Sequence, residues 1–460
     1  FINSRIDNPA FHSQLKEMLS TQVSKFGSRC TLSDGFLKKV EKSGLIDRVL
    51  EEANTAGRKK LGKTRGTKTS RVTGLKKLKD ANKAGTKESH KCTLILTEGD
   101  SAKSLALGGL SVVGHDYYGV FPLRGKLLNV RGAKFETILK NEEVKAIIKI
   151  MGLKPGTDYT STKSLRYGNI MVMADQDHDG SHIKGLVLNL VHFYWPSLIR
   201  LPGFMTEFIT PIVKSTKGNQ EITFFTIPEY EAWLEEEDRK GWKVKYYKGL
   251  GTSSTDEVRE YFSQLKIHKK KFSYAKTDDQ LFELAFGKKN NASDERKLWI
   301  GNYVPGTFLD HSKTSIPLEE FFNNELVLYA RENCDRTIPN IMDGLKHGQR
   351  KILFSCFKRN LKKEIKVAQL SGYVSEIAAY HHGEESLNAT ITKLAQNFVG
   401  TNNLNLLHPQ GQFGTRVFGG KDAAQPRYIY TYLSGLTRLL FHPDDDNIVN
   451  YQEEDNQVIE

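Results

Sequence analysis

Three aspartates alternate in Ala174-Asp175-Gln176-Asp177-His178-Asp179-Gly180. Acids this close repel one another unless a cation sits among them, so Asp175, Asp177 and Asp179 point to a divalent-metal site. A fourth acid, Glu98, stands in Glu98-Gly99-Asp100-Ser101-Ala102-Lys103. Such an all-oxygen set suits Mg2+, which keeps several waters and leaves room for substrate phosphates. Two rival chemistries fail on the same residues. A Ca2+-binding EF-hand loop opening at Asp175 would need an acid at its twelfth position, which is Leu186, and would follow a helix. A phosphate-cradling nucleotide loop at Gly99 would need a second glycine just before Lys103, where Ser101 and Ala102 stand.

The chain has 18 tyrosines, and most must serve packing. Tyr428 differs because it follows Arg427 in Gly419-Gly420-Lys421-Asp422-Ala423-Ala424-Gln425-Pro426-Arg427-Tyr428, a loop marked by glycine and proline with a basic approach. A phenol has a free pKa near ~10 and needs a cationic setting to attack a phosphodiester. Asp343-Gly344-Leu345-Lys346-His347-Gly348-Gln349-Arg350-Lys351 reads as a turn entering a basic helix, of the kind a helix-turn-helix module turns toward a nucleic-acid groove. The paired His381 and His382 have no partner ligands at finger spacing, and Cys30, Cys92, Cys334 and Cys356 form no CxxC pair. Both facts count against zinc fingers and a disulfide framework and fit a reducing compartment.

The elements that must position these residues follow from periodicity. Residues 92–97 form a buried-type strand ending at Glu98, with a helix following through Leu110. Residues 118–123 read as a strand, 124–131 as a basic loop, 134–150 as largely helical and 170–174 as a further strand. The acidic turn then leads into an apolar helix over 183–199. This is the order of a βαβ unit, and open α/β sheets bind ligands at the C-terminal ends of their strands. Parallel neighbours would bring Glu98 close to the aspartates. Downstream, 208–227 reads as a hairpin with Gly218-Asn219 at its tip, 229–238 as an acidic helix and 242–247 as a strand. That strand runs into Lys248-Gly249-Leu250-Gly251-Thr252, whose glycines let a backbone approach something closely. Helices around 255–265 and 278–286 precede a helix-rich unit from about residue 318.

A chain of 460 residues holds two to four domains. Its composition, 38% hydrophobic and 26% charged, is ordinary for a soluble protein, and no window approaches the ~18 apolar residues of a membrane span. The opening Phe1-Ile2-Asn3-Ser4 has no Met and no targeting pattern, and reads as a cut through a longer protein. A net charge of +13 favours a polyanionic partner. Thirteen Lys and Arg stand between Arg58 and Lys91 against two acids, Asp80 and Glu88. Gly, Thr and Ser make this stretch read as a mobile basic linker: a solvated connection, a nuclear-import signal or a phosphate-contacting arm.

The two acidic motifs, followed by Tyr247-Lys248-Gly249-Leu250-Gly251-Thr252, the 343–351 turn, Ala379-Tyr380-His381-His382-Gly383-Glu384 and Pro426-Arg427-Tyr428-Ile429-Tyr430-Thr431, closely resemble eukaryotic DNA topoisomerase II, a type IIA topoisomerase. Six motifs stand in the family's order over essentially the whole chain. The resemblance implies a multidomain α/β protein, with an α/β TOPRIM domain (a Rossmann-like parallel sheet) and an α-rich winged-helix domain. The implied boundaries are 1–56 for the end of an ATPase transducer region, 57–91 for the basic linker, 92–214 for TOPRIM, 215–317 for its insert and connector, and 318–460 for the winged-helix cleavage domain. By resemblance, Glu98, Asp175 and Asp177 hold Mg2+, with Asp179 an accessory acid. Tyr428 is the nucleophile and Arg427 stabilises transition-state charge. DNA contacts fall on Lys126, Asn129, Lys288, Lys289, Lys346, Tyr380 and Ser386. Gln14, Leu15 and Lys16 match the transducer loop whose lysine reaches ATP, bound mainly by an upstream domain.

The implied activity is that of an ATP-hydrolysing isomerase acting on double-stranded DNA as a homodimer, in the nucleus and without a membrane. Two departures stand out: Leu15 replaces the usual Thr, and His347 replaces the usual Pro of the winged-helix turn. The sequence also ends before the family's DNA-bending tower and coiled-coil gate. Two alternatives remain open: a metal nuclease with water in place of Tyr428, and a non-catalytic DNA-binding module indifferent to Mg2+.

Overall fold

Thr93–Thr97 (β1) is a run of five buried residues, the pattern of a strand covered on both faces and therefore of a parallel sheet. In the computed structural model β1 lies between two parallel neighbours, Tyr118–Pro122 (β2) and Asn169–Met173 (β3). Residues 6, 9–10, 19–27, 29, 31–43, 67–69, 71–131, 133, 135–236, 240–247, 249–288, 292–380, 382–454 and 457–459 are described. The chain divides into two compact units. The first is Phe1–Met173, Leu186–Glu207 and Thr255–Ser263; the second is Ala174–Gly185, Phe208–Ser254 and Gln264–Glu460.

In the first unit Asp100–Val113 (α1) follows β1 and buries Ala102, Ala106, Gly109 and Leu110, one face at helical spacing. The helix expected over 134–150 is two helices, Phe135–Lys140 and Glu142–Met151, because Asn141 caps the second through its side chain. After β3, the helix His178–Tyr194 (α2) begins inside the acidic turn, five residues before the apolar run that predicted it. Met205–Phe208 (β4) pairs in parallel with β3 through Met205, Thr206 and Glu207. Thr255–Ser263 (α3) packs on α1, with the Phe262 ring lying where a side chain at Gly109 would be.

The basic stretch departs from the linker reading. From Arg71 onward it is built into the first unit. Lys79 exchanges both backbone hydrogen bonds with Val120, and the Asn82 and Lys83 N–H groups donate to His115 and Asp116. Arg166, fully buried, donates to Asp80, to the Thr69 carbonyl and to the Ile150 carbonyl. Tyr167 donates to the same Asp80, and burial pushes its phenol well up. A buried guanidinium needs such partners, so Asp80, one of the segment's two acids, is its anchor.

In the second unit Val213–Lys217 (β5), Gln220–Phe224 (β6) and Lys243–Tyr246 (β7) form an antiparallel sheet in the order β6-β5-β7. The expected hairpin tip is there, with Gly218 at φ 60°. Lys269–Ser273 (β8) pairs in parallel with Ser315–Pro317 (β9). A π-helical stretch, Phe321–Leu326, runs into Val327–Thr337 (α4). His347–Lys358 (α5), Val367–Ile377 (α6) and Glu384–Ala395 (α7) share a core of Ile352, Cys356, Leu370, Val374, Leu387 and Ile391. Ile365–Lys366 (β10), Leu407–Gln410 (β11) and Tyr430–Leu433 (β12) back them as an antiparallel sheet in the order β10-β12-β11. Three helices and a small sheet make the expected winged helix. His347 is the first residue of α5, a position where proline merely presets the backbone, so its replacement leaves the helix start intact. Among the described residues no helix is long and apolar enough to cross a membrane.

Candidate functional site

The register of β1 and β3 pairs Thr97 with Met173, so the two strands end level. Glu98 follows β1, and its N–H donates to the Met173 carbonyl at 3.2 Å. Asp175 stands two residues beyond Met173 in the chain. Glu98 falls in the first unit and the three aspartates in the second. Among the described residues no group of three or more His, Cys, Asp or Glu is gathered as a coordination sphere, so the expected four-acid cluster is not preformed.

Each aspartate of the turn has a different partner. The Asp175 Oδ1 accepts the Leu250 N–H at 2.7 Å. Burial pushes the Asp175 carboxyl above the carboxylate range, the Leu250 hydrogen bond opposes this, and Asp177 adds to it. Asp177 Oδ1 accepts the Gly180 N–H at 2.7 Å, closing the turn onto the start of α2. Gly180 is required there, because a Cβ would collide with the Asp175 carbonyl oxygen. Asp179 is gripped by both terminal nitrogens of Arg336, at 2.9 and 3.3 Å, and His382 Nδ1 stands 3.8 Å away. Asp179 is thus already neutralised by a guanidinium, which corrects its expected place among the metal ligands. Asp175 and Asp177 do fit Mg2+, an ion held by one or two carboxylates with water and phosphate completing its shell.

The flanks of the turn are fixed as firmly. His178 Nδ1 lies 2.5 Å from Glu332 Oε2, and this bond holds the imidazole pKa above its usual value against the opposing effect of burial. Ser181 donates to Glu325 at 2.6 Å, and the buried Lys184 ammonium lies 2.5 Å from the same carboxylate. Burial pushes Glu325 up but is outweighed by Lys184 and His311, which leave it lowered. Asp177, Asp179, Arg336, Lys346, His382 and Ser386 all line one cavity of about 1070 Å3. Its lining of acids beside cations suits a divalent ion together with a phosphate.

The tyrosine loop is built differently. Ile429 is buried and its carbonyl accepts the Val367 N–H, while the Pro426 carbonyl accepts the Ala368 N–H. Between these fixed points Arg427 and Tyr428 are pushed outward. Tyr428 is 65% exposed, and the Arg427 guanidinium lies 4.9 Å from its ring centroid. β12 begins at Tyr430, so the sheet holds the loop from behind.

The basic helix α5 does not present all its charge, as its composition suggested. Arg350 makes a fork on Asp343, at 2.7 and 3.1 Å, and Lys351 is buried with its ammonium on the Ala378 carbonyl. Lys346, at the helix start, is exposed, as are Ser386 and Lys288. Tyr380 meets His382 edge-on at 5.4 Å. In the first unit Lys126 is exposed, and Asn129 accepts from Asn189, which in turn accepts from Arg131 at 2.7 Å. Gln14, Leu15, Lys16, Lys289 and His381 lie outside the described residues. Sequence reasoning missed Leu250, Glu325, Glu332 and Arg336 as partners of the turn. Only the glycines beside Leu250 gave a signal.

Comparison with known proteins agrees with this architecture. The Toprim domain family matches residues 93–210, the C-terminal associated domain of TOPRIM residues 208–334, and the DNA gyrase/topoisomerase IV family residues 336–460. DNA topoisomerase 2 of Saccharomyces cerevisiae is 56% identical over 465 residues, which cover 100% of this chain and 32% of that protein. DNA topoisomerase 2 of Arabidopsis thaliana is 54% identical, covering 100% of this chain and 31% of its own length. The chain therefore spans about a third of the curated relatives it matches. Among solved structures, the Plasmodium falciparum topoisomerase II DNA-binding, cleavage and re-ligation domain is 54% identical with a TM-score of 0.70, covering 85% of this chain and 54% of that one.

Proposed function

We propose, for a chain that belongs to the eukaryotic DNA topoisomerase II family, that the whole protein is an ATP-dependent type II DNA topoisomerase, and that this stretch carries its cleavage chemistry. The reaction is a transesterification. The Tyr428 oxygen attacks a DNA phosphorus, its proton leaves to solvent or a nearby base, and the phosphorus–3′-oxygen bond breaks. The products are a 5′-phosphotyrosyl link and a free 3′-hydroxyl, and the reverse step reseals the strand. No bond energy is lost to water, so a second duplex can pass before closure. ATP bound upstream drives that passage. A homodimer supplies two tyrosines for the two strands, and the nucleus supplies the DNA.

The observation that carries this reading is the presentation of Tyr428: exposed, beside a guanidinium, between two pinned backbone positions. Arg427 stabilises charge as the phosphorus becomes five-coordinate. Glu98, Asp175 and Asp177 hold Mg2+, which when bound stabilises charge on the phosphate and leaving oxygens. Asp179 orients Arg336 and keeps it beside the acids. Lys126, Asn129, Lys288, Lys346, Tyr380 and Ser386 contact the duplex, with the domain boundaries set out above.

Tyr428→Phe in the whole protein tests this. SDS trapping with supercoiled DNA should yield no covalent adduct above background, while DNA affinity stays within about twofold, since a single hydroxyl adds little to a phosphate-dominated interface. Adducts that persist in the variant would refute the nucleophile assignment.

A further inference from the structure

The Tyr247-Lys248-Gly249-Leu250-Gly251-Thr252 motif has no role in the chemistry above, yet its backbone touches Asp175. The contact is specific. Leu250 donates its N–H to Asp175 Oδ1 at 2.7 Å, and Leu250 itself is 1% exposed. Gly249 has φ 153° and ψ 172°, a conformation essentially reserved for glycine. A Cβ at Gly249 would stand 2.8 Å from Asp175 Oδ2 and 3.1 Å from its Cγ, so the carboxylate rests against the bare backbone. The loop is itself braced on both sides. Tyr247 donates its N–H to the Ile212 carbonyl at 2.8 Å, and the Thr252 N–H and hydroxyl both close on the Gly249 carbonyl, at 3.1 and 2.7 Å. By contrast, a Cβ at Gly251 would meet open space.

We infer that the Gly249–Leu250 peptide is a positioning element for Asp175, fixing the orientation in which this carboxylate is offered to the divalent ion. The inference rests on the reading of Asp175 as a metal ligand. A carboxylate with a free rotamer must be ordered each time a cation binds. One held by an amide and packed against a glycine is ordered beforehand. The motif's two glycines then differ in purpose. Gly249 provides close approach to an acid 74 residues upstream, and Gly251 does not.

The test uses the whole dimeric protein in a Tyr428→Phe background, with Mn2+ binding read by electron paramagnetic resonance and folding read by thermal unfolding. Gly249→Ala should weaken Mn2+ binding about 10–100-fold, the range seen when the groups that orient a metal ligand are removed. Gly251→Ala should leave it within about twofold, because nothing fills that space. Should Gly249→Ala fail to fold, an amide-to-ester replacement at Leu250 removes the donor without adding bulk and should weaken binding in the same direction. Asp175→Asn separates the two levels. Full Mn2+ affinity in Asp175→Asn would overturn the metal assignment. Lost affinity there, with Gly249→Ala or the ester binding like wild type, would overturn the positioning role alone.

Discussion

The acidic turn and the tyrosine loop are both parts of the second unit, and they are built on opposite plans. Every flank of the turn is held: Asp175 by Leu250, His178 by Glu332, Asp179 by Arg336, and Ser181 and Lys184 by Glu325. The tyrosine loop is held only by its backbone, through Pro426 and Ile429, and its two functional side chains project outward. The difference follows from charge. Neighbouring carboxylates repel, so they keep one geometry only when donors and cations fix them. A neutral phenol has no such need, and exposure lets it reach a phosphate. Substitutions in the turn's frame should therefore register in stability and metal affinity, and substitutions in the tyrosine loop in chemistry alone.

The largest stability effect should come from Glu325→Ala, which leaves Lys184 buried and uncompensated. Removing one partner of a buried pair costs about 3–5 kcal/mol, so the thermal transition should fall by several degrees. Glu325→Ala with Lys184→Met should recover most of that loss. A single variant as stable as wild type would break the contrast on the turn's side. Arg427→Ala should act oppositely, lowering the cleavage rate about a hundredfold, as removal of one charge-stabilising group does, with the thermal transition unmoved. A drop in stability there would show that the loop, too, depends on its side chains.

The smallest effect concerns His178 and Glu332. The imidazole pKa is raised by Glu332, so its contribution is fully present below the unfolded value of about 6.5 and fades as pH rises through the higher folded value. The Glu332 pKa is lowered by His178, so its share is present above the usual carboxylate value and fades as pH falls through the lower folded one. The stability difference between wild type and His178→Gln should therefore be greatest at mildly acidic pH and shrink above neutrality. A difference constant from about pH 5 to 9 would mean that no charged pair forms.

How much of this was legible in the sequence depended on range. Strand β1, its helix and the level ends at Glu98 and the acidic turn follow from local periodicity, and the pairing of β1 with β3 agrees with that order. Tyr428 was legible because a Pro-Arg-Tyr loop announces itself locally. The partners of the turn were not, since Leu250 lies 75 residues from Asp175 and Arg336 lies 157 from Asp179, and no periodicity spans such distances. Charge misled in two places. Lys351 counts as basic in any composition, but its position on α5 faces the core, where its ammonium serves the Ala378 carbonyl. The Arg58–Lys91 stretch counted as a linker because Asp80 looked like one stray acid, whereas it is the counter-charge for a fully buried Arg166.

The most direct test of the central claim is to map the covalent adduct. The whole protein is incubated with 5′-labelled DNA with and without Mg2+, denatured and digested, and the DNA-linked peptide is sequenced by mass spectrometry. The account predicts one peptide, linked through Tyr428 to a 5′-phosphate and formed only with the metal present. Free 5′-phosphate ends with no linked peptide, or a link through another residue, would contradict it.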